Sequence, residues 1–115
     1  TANGDVVNAL DIPAETLVLT AGVEVITALT SSATIDIGWA TATSGNDSAD
    51  GDRWVNDDTN ATGYSTIITA TTGAVAFTAA DTVDATIAGA DSSAGKIRVW
   101  AVMCDISGVD ETDHN

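Results

Sequence analysis

Apolar and polar residues alternate with a period of two in several short segments of this chain. In "TIDIGW", Ile35, Ile37 and Trp39 fall on one face of an extended strand, and "VEVITAL" and "TVDATIA" repeat the pattern. Side chains of a strand point to opposite faces in turn, so each segment has one apolar face and one polar face. This pattern is typical of an antiparallel sheet that packs on one side only. The chain is therefore predicted to be all-β.

The amino-acid composition agrees with that prediction. Thr, Val and Ile together account for 38 of the 115 residues, and their branched side chains favour extended backbone. A chain of this length most simply forms one domain, here residues 1–115. The fold class expected is an antiparallel β-sandwich of about eight strands, jelly-roll-like. The predicted strands are "DVVNALDI", "ETLVLT", "VEVITAL", "TIDIGW", "STIIT", "GAVAFT", "TVDATIA" and "GKIRVWAVMCDIS". A helical turn beginning near Thr78 is the alternative for the seventh of them.

Three parts of the chain are predicted to lie outside the strands. Residues 1–9 form a possible N-terminal arm, residues 40–63 a long acidic loop, and residues 107–115 a flexible tail. The arm leads into a segment with Val6, Val7 and Leu10, which suits addition of a strand to the sheet edge of a neighbouring molecule. The equal alternative is that this segment forms the first strand of the protein's own sandwich.

The last predicted strand differs from the others because both of its faces are apolar along its second half. Ile97 and Val99 share one face, while Trp100 and Val102 share the other. A strand that is covered on both faces has this pattern. We therefore expect the strand to lie centrally or at a subunit contact, with Trp100 as a candidate contact residue.

The acidic stretch "SGNDSADGDRWVNDDTNATG" contains the candidate metal ligands. Calcium prefers several carboxylate or carbonyl oxygens, and the weak candidates are Asp47, Asp50, Asp52 and Asp57. The spacing misses the EF-hand pattern, because that alignment places an Asn and a Ser at the first two ligand positions. The favoured interpretation is a solvated loop rich in turn-forming residues, without a metal or another cofactor.

Arg53 and Trp54 stand out within this acidic stretch. An indole in a polar loop usually packs back onto the body of the protein and holds the loop in place. The alternative is that Trp54 is an exposed anchor for a partner, since Trp and Arg are enriched at interface hot spots. Arg53 is predicted either to pair with a nearby aspartate or to reach across an interface.

The charge and the reactive residues restrict the classes of function. The chain has 17 acidic residues against Arg53, Lys96 and Arg98, for a net charge of −14. Nucleic acid is therefore not an expected partner, and an anionic membrane surface is disfavoured. Cys104 and His114 are the single cysteine and the single histidine, so a zinc site cannot be assembled. Cys104 is expected to be a small buried residue, and no enzymatic activity is predicted.

The order of the segments resembles a widespread group of small structural proteins from the particles of tailed bacteriophages. Six motifs carry the resemblance, which spans residues 10 to 106. They begin with an Ile-Pro-Ala-x-Thr segment and end with a Gly-x-Lys-Ile-x-Val strand. In this sequence they are 12–16, 23–28, 34–38, 50–54, 81–83 and 95–99. Trp54 stands where the pattern has a phenylalanine, and Arg53 precedes it in a longer and more acidic loop.

The resemblance implies a non-enzymatic virion protein with a β-sandwich fold. The expected role is a capsid decoration, or cement, protein that binds the major capsid protein on the exterior of the head. Proteins in that role are often homotrimers. A component of the tail or fibre is an alternative. So is a calcium- or carbohydrate-binding β-sandwich module, with Trp54 as the aromatic platform.

Overall fold

The computed structural model describes residues 2–40, 45–58, 62–66 and 74–108; within these, 57–58 and 64–66 are described by their backbone alone. All regular secondary structure in the described residues is β-strand. The strands are β1 (Val6–Ile12), β2 (Thr16–Thr27), β3 (Thr34–Trp39), β4 (Asp50–Asp58), β5 (Gly63–Thr66), β6 (Val75–Phe77), β7 (Asp81–Ala88) and β8 (Lys96–Asp105). None of the described residues forms a helix that could cross a membrane.

The strands form two antiparallel sheets that pack face to face. The first sheet has the order β1-β7-β3-β4. In the second sheet β2 is central, with β8 along one side and β5 and β6 in succession along the other. Most connections pass from one sheet to the other. The prediction of an all-β antiparallel sandwich is confirmed.

The core lies between the sheets and consists mainly of the inward rows that the alternation predicts. Ile35 and Ile37 on β3 are fully buried, as are Val83 on β7 and Val23 on β2. At one end the core is aromatic: the ring of Trp39 lies 5.4 Å from that of Trp54 and 5.2 Å from that of Phe77. Aromatic pairs at such distances add to the stability that burial provides.

Two predicted strands are a single strand in the structure. "ETLVLT" and "VEVITAL" were expected to be separated at Ala21-Gly22, but β2 runs unbroken from Thr16 to Thr27. It pairs with β8 along its whole length and accommodates its bends with irregularities between Val18 and Thr20 and between Val25 and Thr27. Gly22 marks no turn because it lies opposite Trp100 within the ladder.

The predicted acidic loop over 40–63 is wrong for residues 50–58, which form β4 at an edge of the first sheet. The pairing with β3 is irregular: Ile37 lies opposite Val55, but Trp39 lies opposite Asp50. Residues 51–54 therefore face Gly38 alone, in a bulge that directs both Trp54 and Val55 into the core. Burial of these two side chains outweighs the polar composition of the segment.

The interpretation of residues 1–9 as an arm is wrong for Val6 to Ala9. These residues belong to β1, which pairs with β7 of the same molecule. The alternative, a first strand of the protein's own sandwich, is the arrangement found. Thr82 to Ala88 lie within β7, so the helical turn considered for this segment is also wrong. Of the predicted tail, 107–108 lie beyond β8 and 109–115 are outside the described residues.

Candidate partner-binding face

β8 is an edge strand, which corrects the expectation that it lies centrally. It pairs with β2 from Lys96 to Asp105, and no described strand pairs with its other side. The apolar residues on both faces of β8 are therefore not explained by a central position in the sheet. An unpaired edge presents backbone donors and acceptors that can pair with another chain. The second expectation for this strand, a contact between subunits, remains a proposal.

The outer face of β8 changes from charged to apolar along the strand. Lys96 and Arg98 come first, followed by Trp100, Val102 and Cys104. Trp100 lies opposite Gly22 of β2, where the missing side chain leaves room for the indole. The indole is half-buried, and its Nε1 is shielded from solvent without a hydrogen-bond partner in the described part of the chain. Cys104 is exposed, so its prediction as a small buried residue is wrong.

β2 adds two leucines to this surface. Leu17 is half-buried and lies opposite Cys104. Leu19 is 44% exposed and lies at the irregularity of β2 between Val18 and Thr20, beside the residue that pairs with Val102. Val102 is 47% exposed on the adjacent strand. We call Leu17, Leu19, Trp100 and Val102 the apolar face.

Charged side chains lie at one end of the apolar face. Arg98 Nη1 is 3.0 Å from Glu24 Oε1 across the β2–β8 pair. Lys96 is exposed at the start of the same strand. Two of the three basic residues of this acidic chain therefore lie on β8. An apolar centre beside charged groups is the usual anatomy of a protein–protein interface.

The inner face of β8 is only partly covered. Ile97, Val99, Ala101 and Met103 pack against the core but stay half-exposed, whereas Val23 on the neighbouring strand is fully buried. A cleft of about 310 Å³ opens beside the first two of these residues, between the edges of the two sheets. The far wall of the cleft is formed by apolar side chains of β1 and β7. This side of the sandwich is open along β8.

Trp54 does not belong to any exposed surface. It is fully buried beside Trp39, so the prediction that it holds the acidic segment in place is confirmed and its alternative as a partner contact is wrong. The segment before it is held as well. Trp39 Nε1 donates a hydrogen bond of 3.0 Å to the carbonyl of Ser48. The side chain of Asn46 both donates to and accepts from the backbone of Ala79.

Arg53 pairs with an aspartate of its own strand, which is one of the two alternatives predicted for it. Its Nη1 lies 3.9 Å from Asp50 Oδ2, and both side chains are about one-third exposed. Desolvation, followed by the hydrogen bond and charge of Asp52, raises the pKa of Asp50 above 3.8, although the charge of Arg53 acts in the opposite direction. Asp52 therefore destabilises the charged form of Asp50 at this point of β4.

The candidate metal ligands are not gathered into one site. Asp47 is exposed in the segment before β4, while Asp50 and Asp52 lie on that strand. Asp57 is on β4 too, but its side chain is outside the described part of the chain. Among the described residues, no three acidic, cysteine or histidine side chains form a group that could hold a metal ion.

The three predicted contact residues of β1 have different environments. Val6 and Val7 are 46% and 50% exposed, whereas Leu10 packs against the core. The exposed valines lie on the first sheet, away from the apolar face on the second. Sequence reasoning placed Trp100 and Val102 on one face of the last strand and selected Trp100 as a contact residue, but it missed Leu17 and Leu19. Only the pairing of β2 with β8 brings these leucines next to that face.

Comparison of this chain with protein-family models, with curated proteins and with solved structures found no match.

Proposed function

We propose that this chain is a non-enzymatic structural protein of a virus particle. In this role it is a capsid decoration protein that binds the major capsid protein on the exterior of the head and stabilises the shell. It acts as a homo-oligomer. The observation that carries the proposal is the apolar face on the outer side of the second sheet.

The apolar face has the chemistry of a docking surface. Val102 and Leu19 expose nearly half of their surface, and the half-buried ring of Trp100 lies on the same face. Contiguous apolar residues that remain on the surface of a folded protein mark sites of interaction with other proteins. Aromatic residues such as Trp100 are enriched at the centre of such sites, where water is excluded.

Two further observations support a structural role on a particle. The order of the six sequence motifs, from 12–16 to 95–99, resembles that of phage virion proteins. The net charge of −14 keeps surfaces without a partner apart, so that attachment depends on the apolar face. A sugar-binding module is not favoured, because Trp54, the platform that the sequence suggested for it, is fully buried.

The test is the binding of purified protein to capsids from which it has been removed. We expect the protein to bind in the presence of a chelator and to raise the temperature at which the capsids rupture. Val102→Glu is expected to reduce binding at least tenfold, because it places a charge in the desolvated centre of the interface. A cryo-electron microscopy map of the decorated particle then shows which sheet faces the shell.

Val6→Glu is the matched control, because Val6 is 46% exposed and Val102 is 47% exposed. Both variants carry the same change on a strand, but Val6 lies on the other sheet. Equal binding of Val6→Glu and the unaltered protein supports the apolar face as the docking surface. Loss of binding in Val6→Glu alone would place the contact on β1. Failure of the unaltered protein to bind the emptied capsids would refute the decoration role.

A further inference from the structure

We infer that two copies of this chain associate through antiparallel pairing of β8 with β8, around a two-fold axis near Ala101. The inference deepens the proposed homo-oligomer, since it names the surface and the symmetry, but it does not depend on capsid binding. A two-fold contact also differs from the trimer that the resemblance implies. A trimeric ring needs two different surfaces on each copy.

The first argument is the free edge of β8. The strand runs from Lys96 to Asp105, and its outer side has no partner among the described strands. Natural proteins usually protect such an edge with short strands, proline or inward-pointing charges. This edge is long, contains no proline, and has Ile97, Val99 and Met103 on its inner face. A strand added here continues the ladder of the second sheet.

The second argument is the incomplete burial of that inner row. Ile97, Val99 and Met103 are half-exposed although they belong to the hydrophobic core. The corresponding residues of β2, Val23 and Val25, are 0% and 2% exposed because strands flank them on both sides. A second copy of β8 covers the open side of the row with residues of the same apolar type.

The third argument is that no like charges oppose each other along the pair. By the alternation of the strand, Lys96 and Arg98 point to the outer face, whereas Asp105 points to the inner face. An axis at Ala101 places Arg98 opposite Cys104 of the other copy, and Asp105 opposite Ile97. Like charges directly opposite each other destabilise a sheet, and this pairing avoids them.

An axis at Ala101 also matches the apolar side chains. It places Trp100 of one copy opposite Val102 of the other on the outer face, and Val99 opposite Met103 on the inner face. Cross-strand pairs of aromatic and branched residues stabilise a sheet. The pairing joins the apolar faces of the two copies into one surface, which doubles the area available to a partner.

The first test is disulfide formation at the axis. Opposed residues of an antiparallel pair have Cα atoms about 4.5 to 5.5 Å apart, within the range of a disulfide. Ala101→Cys, made with Cys104→Ser, is therefore expected to form a covalent dimer upon mild oxidation. Native Cys104 is not expected to form such a disulfide. The Cys104 residues of the two copies lie six positions apart along the paired strands, which is about 20 Å at the rise of a strand. Ala76→Cys with Cys104→Ser is the control, since Ala76 is exposed on the opposite side of the second sheet.

The second test measures mass by sedimentation equilibrium of the purified chain without capsids. We expect a reversible dimer, and Cys104→Arg is expected to weaken it about tenfold, because residue 104 is exposed on the outer face and lies opposite Arg98 of the other copy, twice by symmetry. Cys104→Glu is the matched variant and is expected to strengthen the dimer, because it places a carboxylate opposite the same arginine. Circular dichroism of each variant confirms that it is folded.

The outcomes separate the inference from the proposed function. A monomer at all concentrations, or an oligomer that Cys104→Arg and Cys104→Glu affect equally, refutes the β8 pairing. Cross-linking through Ala76→Cys but not Ala101→Cys also refutes it, since it places the contact elsewhere. A β8 dimer that fails to bind capsids supports this inference and contradicts the decoration role alone.

Discussion

Trp39 and Trp54 offer a comparison in which one substitution has different effects at two equally buried positions. Their exposed fractions are 2% and 0%, and their rings are in contact at 5.4 Å. Trp39 Nε1 donates a hydrogen bond of 3.0 Å to the carbonyl of Ser48, whereas Trp54 Nε1 is buried without a partner among the described residues. Phenylalanine removes the N–H group in both cases.

The expected difference follows from the two N–H groups. Truncation of a tryptophan to phenylalanine removes similar apolar area at both sites, so this loss largely cancels in the comparison. Trp39→Phe also loses a hydrogen bond of about 1 kcal/mol, whereas Trp54→Phe removes an unsatisfied donor that costs about 1 kcal/mol or more. Trp39→Phe is therefore expected to be less stable than Trp54→Phe by about 2 kcal/mol, or roughly 8 °C in Tm.

The assay is chemical denaturation followed by far-ultraviolet circular dichroism, because each variant changes the tryptophan fluorescence. Trp100→Phe is a second test of the same reasoning, since Trp100 Nε1 is also shielded without a partner among the described residues; this variant is expected to be more stable than Trp39→Phe as well. If Trp54→Phe destabilises the protein as much as Trp39→Phe, the assignment of the paired and unpaired indole nitrogens is refuted.

Three further substitutions test the first sheet. Gly38→Ala is expected to lower the free energy of unfolding by about 3 kcal/mol, because a Cβ there would meet the carbonyl oxygen of Asp50. Gly51→Ala, whose Cβ has no neighbour closer than 4.0 Å, is the control in thermal denaturation. Asp84→Asn is expected to cost about 1 to 3 kcal/mol by the same measurement, since the buried carboxylate accepts both a backbone and a hydroxyl hydrogen bond. Asp50→Asn is expected to stabilise the protein at neutral pH and to lose this advantage as the pH falls toward 3.8, because desolvation and Asp52 raise the pKa of Asp50 in the folded state. Parallel pH titrations of Tm that show the reverse trend would contradict this assignment.

Much of the fold follows from the sequence because the alternation of a strand is a local property. The inward rows at Ile35 and Ile37 and at Val83 were predicted correctly, since each lies in a strand whose pattern is regular. β4 was missed because its bulge buries the adjacent residues Trp54 and Val55, which breaks the period of two. A bulge depends on the partner strand and leaves no regular pattern in the sequence.

The candidate binding face was predictable only in part. Trp100 was identified from the two apolar faces of its strand, but the same pattern led to the wrong expectation of a central strand. Apolar residues on both faces indicate that both faces need cover, whether it comes from the same chain or from another. The leucines of the apolar face were missed because their membership depends on the register of β2 with β8.

The sequence by itself determined the class of fold and which face of most strands is apolar. The reason is local: Val, Ile and Thr favour extended backbone, and their spacing sets which side chains share a face. Only the tertiary structure decided that Trp54, within the acidic stretch "SGNDSADGDRWVNDDTNATG", belongs to the core. Its ring is buried through contact with Trp39 on another strand. The tertiary structure also decided that β8 is an edge. Both outcomes depend on contacts between distant parts of the chain, and the free energy of those contacts outweighs the local preference of any one segment.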